Sequence, residues 1–363
     1  MLVSYCSNYY KGCRMKNILL VSILMLSFLF VGCSNNEEEA SEKPLVNNEE
    51  IEEQEVEEPT YKYVYPLTGE GTNKVIKQRA IAVMINNHTS ARPHSGLQQA
   101  DLVYEVLAEG DITRFLAIYH SNQPTKIGPI RSARDYYIDL AKGYNSIYVA
   151  HGYSPDAYNL IQKNYIDSIN GMQYDGTLFY RSKDRKAPHN SYSTYENIMK
   201  GAEQKDYDTE TNPPSLLFLT EEEVQALQGD NIEKISIQFS SGSSYNSEYL
   251  YDKELKKYKR YSKNVQTIDA DTKEEVLIDN LFVVETKHET IDSEGRRSID
   301  LTSGGKAYLF QNGIMQEVEW MNKNGQIVPA INKQEIGLIP GQTWITFVPT
   351  NPGISTIVTG SNL

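Results

Sequence analysis

The sequence predicts an α+β fold, with a mixed-sheet α/β sandwich as its N-terminal domain and a mainly antiparallel β domain after it. Three observations lead there. Up to about residue 205, apolar β-rich runs alternate with stretches that carry helix-start signals. Beyond residue 215 the helix signals fade, and alternating strands joined by Asn-Gly turns take over. The first 59 residues follow neither pattern, being first apolar and then almost purely acidic.

The run RAIAVMINN (79–87) reads as a buried strand with polar flanks. ARPHSGLQQAD is a loop with one helical turn. LVYEVLAE (102–109) and TRFLAIYH (113–120) are strands, with GDI as the hairpin between them. IGPIRSARDYYIDLA (127–141) begins as a turn at Gly128-Pro129 and continues as a helix over about 133–142. Ser132 is its expected cap, Asp135 stands at capping-box spacing, and Gly143 is its stop. SIYVAHG (146–152) is a strand. SPDAYNLIQ opens a second helix, with Ser154 as cap and Pro155 at the first helical position, where a missing N–H costs nothing. TLFYRS (177–182) is a strand. STYENIMKGAEQK is a helix with Ser193 and Glu196 at capping-box spacing. DYDTETNPP (206–214) is a loop, and it marks the expected boundary between domains 60–210 and 211–363. In the second domain KISIQFS alternates, and EVLIDNLFVVETKH, GKAYLFQNGIMQEVEW and TWITFVPT supply further strands. Asn312-Gly313 and Asn324-Gly325 are type I′ hairpin signals.

The N-terminus reads as an address. Lys16 precedes an apolar run from Ile18 to Val31 that is too short to span a bilayer, and the run closes on Gly32-Cys33. The ending Phe30-Val31-Gly32-Cys33 is similar to a bacterial lipobox, which implies diacylglyceryl and palmitate attachment at Cys33. Residues 1–14 fit no part of such a signal, so Met15 is the expected initiator, and 1–32 is an over-called start plus signal peptide. Residues 33–59 carry eleven Glu, one Lys and no aromatic residue, the composition of an extended tether. Of the formal charge of −13, +3 lies in 1–32 and −10 in 33–59, which leaves −6 from Thr60 onward. A mildly acidic folded part excludes bulk nucleic-acid binding. All three cysteines precede it, so it holds no disulfide, thiolate metal site or cysteine nucleophile. Tyrosines number 26 against nine Phe and two Trp, which favours apolar rings with a polar tip at half-buried positions.

Three long motifs in order, RPHSGLQQADLVYEVLAEGDITRFLAIYH, IGPIRSARDYYIDLA and IYVAHGYSPDAYNLI, resemble the YerB-like lipoproteins of Gram-positive bacteria. The resemblance covers most of 61–350, including a C-terminal module with GKAYLFQNG and IPGQTWI. It implies a surface lipoprotein with an α+β sandwich core and a family of unknown function. It brings no catalytic residue with it.

The chemistry therefore rests on the residues themselves. Arg131 and Arg134 sit at a helix start, the end of the macrodipole that repels cations. They need an anion. Either it is a ligand held by Arg131, Ser132, Arg134 and Arg114 with the free helix N–H groups, or it is internal, from Asp101, Glu105, Glu109 or Asp111. His151, Gly152 and Ser154 stand between a strand and a helix, where α/β proteins often place ligands, and Gly152 would let one approach the backbone. Glu105 and Glu109, an even number apart in a strand, would share a face and could serve as acid and base; they could equally accept salt bridges from Arg114 and the helix arginines. His88, His94, His120, His151 and His189 show no metal-binding spacing, and neither a metal nor a cofactor is expected. The loop 180–192 carries Arg181, Lys183, Arg185 and Lys186, a solvated basic segment or a contact for wall polymer.

These readings combine into an expectation. The chain is a lipoprotein anchored to the outer face of the cytoplasmic membrane, a non-catalytic binding or scaffold protein of the cell envelope. Its partner would be an anionic wall component or an envelope protein. The alternative is a wall-acting hydrolase or transferase that uses the carboxylates and histidines of the same cleft.

Overall fold

The computed structural model describes residues 60–362. The signal segment, the lipidation site Cys33 and the acidic tether lie outside the described residues. Among the described residues no helix is long and apolar enough to cross a membrane.

The architecture is α+β, with a mixed sheet, as the sequence predicts. One twelve-stranded sheet dominates. Its main path runs Gln334–Glu335, Gln326–Ile331, Ile314–Lys323, Gly305–Gln311, Asn280–Thr286, Thr343–Pro349, Leu102–Glu109, Ile112–Tyr119, Ile81–Asn86, Ile147–Ala150 and Ser168–Asn170. The strands on either side of the 206–214 loop thus belong to one sheet. The join is Thr343–Pro349, parallel to Asn280–Thr286 on one side and to Leu102–Glu109 on the other, with Thr343 opposite Leu102 and Thr346 opposite Glu105. Both Asn-Gly turns form as expected, with φ of 51° and 76° at Asn312 and Gly313 and 54° and 94° at Asn324 and Gly325. That positive pair is what a type I′ turn requires, and it matches the strand twist.

Each face of the sheet is covered. One core lies against helix α1 (Asp135–Lys142) and holds Tyr104, Val106, Tyr136, Tyr137 and Leu140. The other holds Val103, Phe115 and Trp344 packed with Tyr249 and Tyr258 of a six-stranded antiparallel sheet. The abundant tyrosines serve both environments at once. Tyr136 and Tyr137 are buried, yet the Tyr136 hydroxyl donates to Leu107 O at 3.1 Å, and the Tyr137 hydroxyl reaches Arg114 O and Val106 O at 2.8 and 3.0 Å. Each ring adds roughly 1.5–3 kcal/mol of apolar burial while its tip stays satisfied.

Two helix starts differ from expectation. Helix α1 begins at Asp135, its N-cap is Arg134 without a side-chain cap bond, and Ser132 is not the cap. Residues 131–134 are extended because they pair in parallel with 151–154. His151 N–H donates to Arg131 O, Ala133 N–H to Gly152 O and Ser154 N–H to Ala133 O, at 2.9–3.1 Å. The Ser132 hydroxyl donates instead to His151 O at 3.1 Å. In the later helix Tyr195–Glu203 the cap is Thr194, not Ser193. Ser193 is held by backbone pairing with Ile127, and its hydroxyl donates to Leu178 O at 2.8 Å. Helix α2 (Pro155–Gln162) starts as expected, with the Ser154 side chain accepting from Ala157 N–H and Pro155 at the first position.

Candidate functional site

The parallel pairing of 131–134 with 151–154 brings the two helix starts side by side. Arg131, Ser132, His151, Gly152 and Ser154 therefore share one neighbourhood. Gly152 has φ of +91°, and a Cβ there would lie 2.8 Å from Ser132 Oγ, so the position needs glycine. Ser154 is occupied as a helix cap.

The arginines divide. Arg134 and Arg114 both ion-pair with Glu109; Arg114 Nη2 lies 2.7 and 2.9 Å from its two oxygens. Arg114 Nη1 also donates to Ser132 O at 2.7 Å. These two guanidiniums have an internal anion. Arg131 does not: among the described residues no carboxylate pairs with it and its side chain makes no hydrogen bond. It is half buried. Burial, with the Arg114 guanidinium second, pulls its pKa down to about 10.

Glu105 and Glu109 do not share a face, contrary to the even-spacing expectation. A β-bulge between Leu107 and Glu109 shifts the register by one residue, which reverses the parity. Glu109 turns toward Arg114 and α1. Glu105, fully buried, turns to the opposite core and pairs with Arg260 at 3.0 Å through both oxygens, while also accepting from Thr113 Oγ1 and Trp344 Nε1. Each carboxylate is bound to a guanidinium, and the two lie in different layers.

Three histidines border Arg131's surroundings, and hydrogen bonding fixes their tautomers. His151 Nε2 lies 2.8 Å from Arg181 Nη2, which can only donate, so Nε2 accepts and Nδ1–H donates to Ser191 Oγ at 2.7 Å. Its ring is seated against Gly171, where a Cβ would lie 2.2 Å from Nδ1. Burial first and then Arg181 push its pKa down. Asn86 Oδ1 accepts from His88 N–H, so the Asn86 amide nitrogen faces His189 Nδ1 at 2.8 Å and donates to it. His189 therefore carries its proton on Nε2. His88 Nδ1 accepts from Ser90 N–H, which likewise leaves the proton on Nε2. The His88 and His189 rings stack with centroids 4.4 Å apart, and burial, His88 and then Arg131 lower the His189 pKa.

The free polar groups here are donors: the Arg131 guanidinium and two imidazole Nε2–H groups. The ring acceptors of His88, His151 and His189 are all engaged, so none of these three imidazoles is left to act as a base. The rim adds charge of the same sign. Arg185 is held only by carbonyls, donating to Ser90 O at 2.8 Å and Pro93 O at 2.6 Å, and Lys186 is exposed. Such an arrangement is suited to a carboxylate or phosphate. Among the described residues no three His, Cys, Asp or Glu side chains gather to hold a metal. The sequence reading singles out His88 and His189 but not Asn86, and it offers no means to join the two histidines, since about a hundred residues separate them and neither stands in a motif.

The comparisons with known proteins agree with this architecture. The chain matches the N-terminal domain of the DUF3048 protein family of unknown function over residues 67–208 and its C-terminal domain over 235–345. YerB of Bacillus subtilis (strain 168), named as a lipoprotein, is 46% identical over 288 residues, covering 78% of this chain and 86% of that protein. The crystal structure of the Bacillus subtilis YerB protein superimposes with a TM-score of 0.77 at 42% identity, over 83% of this chain and all of that one. The chain belongs to the DUF3048 family, proteins of unknown function that include a relative named as a lipoprotein.

Proposed function

We propose that the protein is a non-catalytic binding protein of the cell envelope, anchored through Cys33 to the outer face of the membrane, that recognises an anionic group on a wall polymer or envelope partner. The observation that carries the reading is Arg131, a half-buried guanidinium without a carboxylate, beside two stacked imidazoles that present only donors. A half-buried charge is costly unless paired, so an incoming anion gains most at this position. The same inventory argues against acid–base catalysis, because the Glu105, Glu109 and His151 acceptors are all taken. The relative's lipoprotein name supports membrane attachment.

The test is co-sedimentation of the full-length chain with isolated wall fragments, either carrying their phosphate-rich polymer or stripped of it. Wild type should be retained only by the unstripped fragments, and less so as salt rises. Arg131→Gln and His189→Gln should each weaken retention about tenfold, the loss of one charge-assisted hydrogen bond. Equal retention of all three proteins would refute the proposal.

A further inference from the structure

Asn86 closes the buried strand Ile81–Asn86 and is itself only 3% exposed. Its backbone and its side chain are both tied. The backbone N–H donates to Pro129 O at 2.8 Å, and the carbonyl accepts from His94 Nε2 at 3.0 Å. In the side chain, Oδ1 accepts from the His88 N–H at 3.0 Å, and Nδ2 donates to His189 Nδ1 at 2.8 Å. A hydroxyl or a water in this place could turn and accept from the ring instead. The amide cannot, because turning it over would set its N–H against the His88 N–H, donor against donor.

The consequence falls on His189. An unhindered histidine titrates near about 6.5 and then becomes a cation. In His189 the second proton would have to enter at Nδ1, where the Asn86 amide already donates. The groups around the ring act in the same sense: burial, the stacked His88, Arg131 and Arg185 all lower its pKa. On its own loop, Lys186 O accepts from the His189 N–H at 3.0 Å, and Asp184 is turned to the Ser182 hydroxyl. Among the described residues no carboxylate favours the charged form of the ring.

We infer, on the reading that the Arg131 site receives an anion, that Asn86 is its positioning residue. It holds His189 as the neutral ring with the proton on Nε2. This imidazole then offers the anion a hydrogen bond and not a charge, and the charge comes from Arg131. The division matters for selectivity, since a neutral donor of fixed direction rewards the shape of the anion and a cation rewards any negative charge.

Nitrogen-15 NMR of the imidazoles in the full-length chain tests this, with sulfate as probe because it stays ionised throughout. Before sulfate is added, His189 should carry its proton on Nε2 and titrate lower than in the urea-unfolded chain. Saturating sulfate at pH 7 should move the Nε2 resonance and leave Nδ1 unprotonated. Asn86→Asp replaces the donor with an acceptor of the same shape. The proton should move to Nδ1, and the ring should titrate at least about one pH unit higher. Asn86→Ala, which frees the ring without adding a charge, should weaken sulfate binding about threefold or more. A wild-type ring protonated on Nδ1 overturns the inference, and that measurement needs no variant to fold. So does a ring that becomes doubly protonated as sulfate binds, an Asn86→Asp ring still protonated on Nε2 alone, or undiminished binding in Asn86→Ala. If the tautomer is as stated but sulfate moves no imidazole resonance, the anion reading of the site fails and the positioning role falls with it.

Discussion

The Glu105–Arg260 pair gives the most demanding test of how the two halves of the chain hold together. Both side chains are 0–1% exposed, and Arg260 lies 5.1 Å from the Trp344 ring, 5.2 Å from Phe115 and 5.9 Å from Tyr249. Arg260→Met keeps the stem but removes the charge. Glu105 is then left buried with only the Thr113 hydroxyl and the Trp344 N–H. Breaking a buried pair in this way costs about 3–5 kcal/mol, with each lost ring contact adding about 0.5–1 kcal/mol. Glu105→Gln with Arg260→Met removes both charges and should return to within about 1–2 kcal/mol of wild type, because the desolvation cost leaves with them. The double mutant should therefore fall short of the sum of the two single effects by more than about 1 kcal/mol, which is the coupling read from the double-mutant cycle. Urea unfolding followed by tryptophan fluorescence measures it, since Trp344 touches both partners. A cost below about 1 kcal/mol for Arg260→Met, or additive single effects, would refute the reasoning.

Three further outcomes are expected. Arg131→Gln should leave stability within about 1 kcal/mol of wild type, because it strands no carboxylate, whereas Arg114→Gln, which removes a Glu109 partner, should cost about 2–4 kcal/mol in the same urea assay. His94 has a folded pKa of about 3, set by burial first, so it binds fewer protons folded than unfolded. Its contribution is whole above about pH 6.5 and is lost as pH falls toward 3, at about 1.4 kcal/mol per pH unit, so stability measured between pH 7 and 4 should fall less steeply in His94→Gln. Gly143→Ala would put a Cβ 2.3 Å from the Gly325 carbonyl carbon and should cost about 1–3 kcal/mol by thermal melting.

What could be read in advance followed from local rules. Helix α2 declares itself through Ser154 and Pro155, and the hairpins through their Asn-Gly pairs, because caps and turns are decided within a few residues. The misread features depended on distant chain. Residues 131–134 look like a helix entrance until 151–154 pair with them and pull them straight. Glu105 and Glu109 look like one face until a bulge intervenes. Gly143 does end α1 as its sequence suggests, but its φ is −60°, and what calls for glycine there is the distant Gly325 backbone against it. Arg134 finds its anion in Glu109 whereas Arg131 pairs with no carboxylate among the described residues, a division that no local rule distinguishes.

The placement of Thr343–Pro349 bears on how the chain reaches its native state. The Trp344 indole meets Glu105 across 239 residues, and the Gln342 amide meets Ala100 O across 242. The central seam of the sheet therefore has very high contact order, and loop closure on that scale is slow to be rewarded. Until the last few dozen residues arrive, Leu102–Glu109 and Asn280–Thr286 each present a bare strand edge. For a chain that crosses a membrane before folding, as proposed here, the delay keeps it threadable. It also exposes two sticky edges in transit, so truncation just before Thr343 should give an aggregating product rather than a smaller folded one.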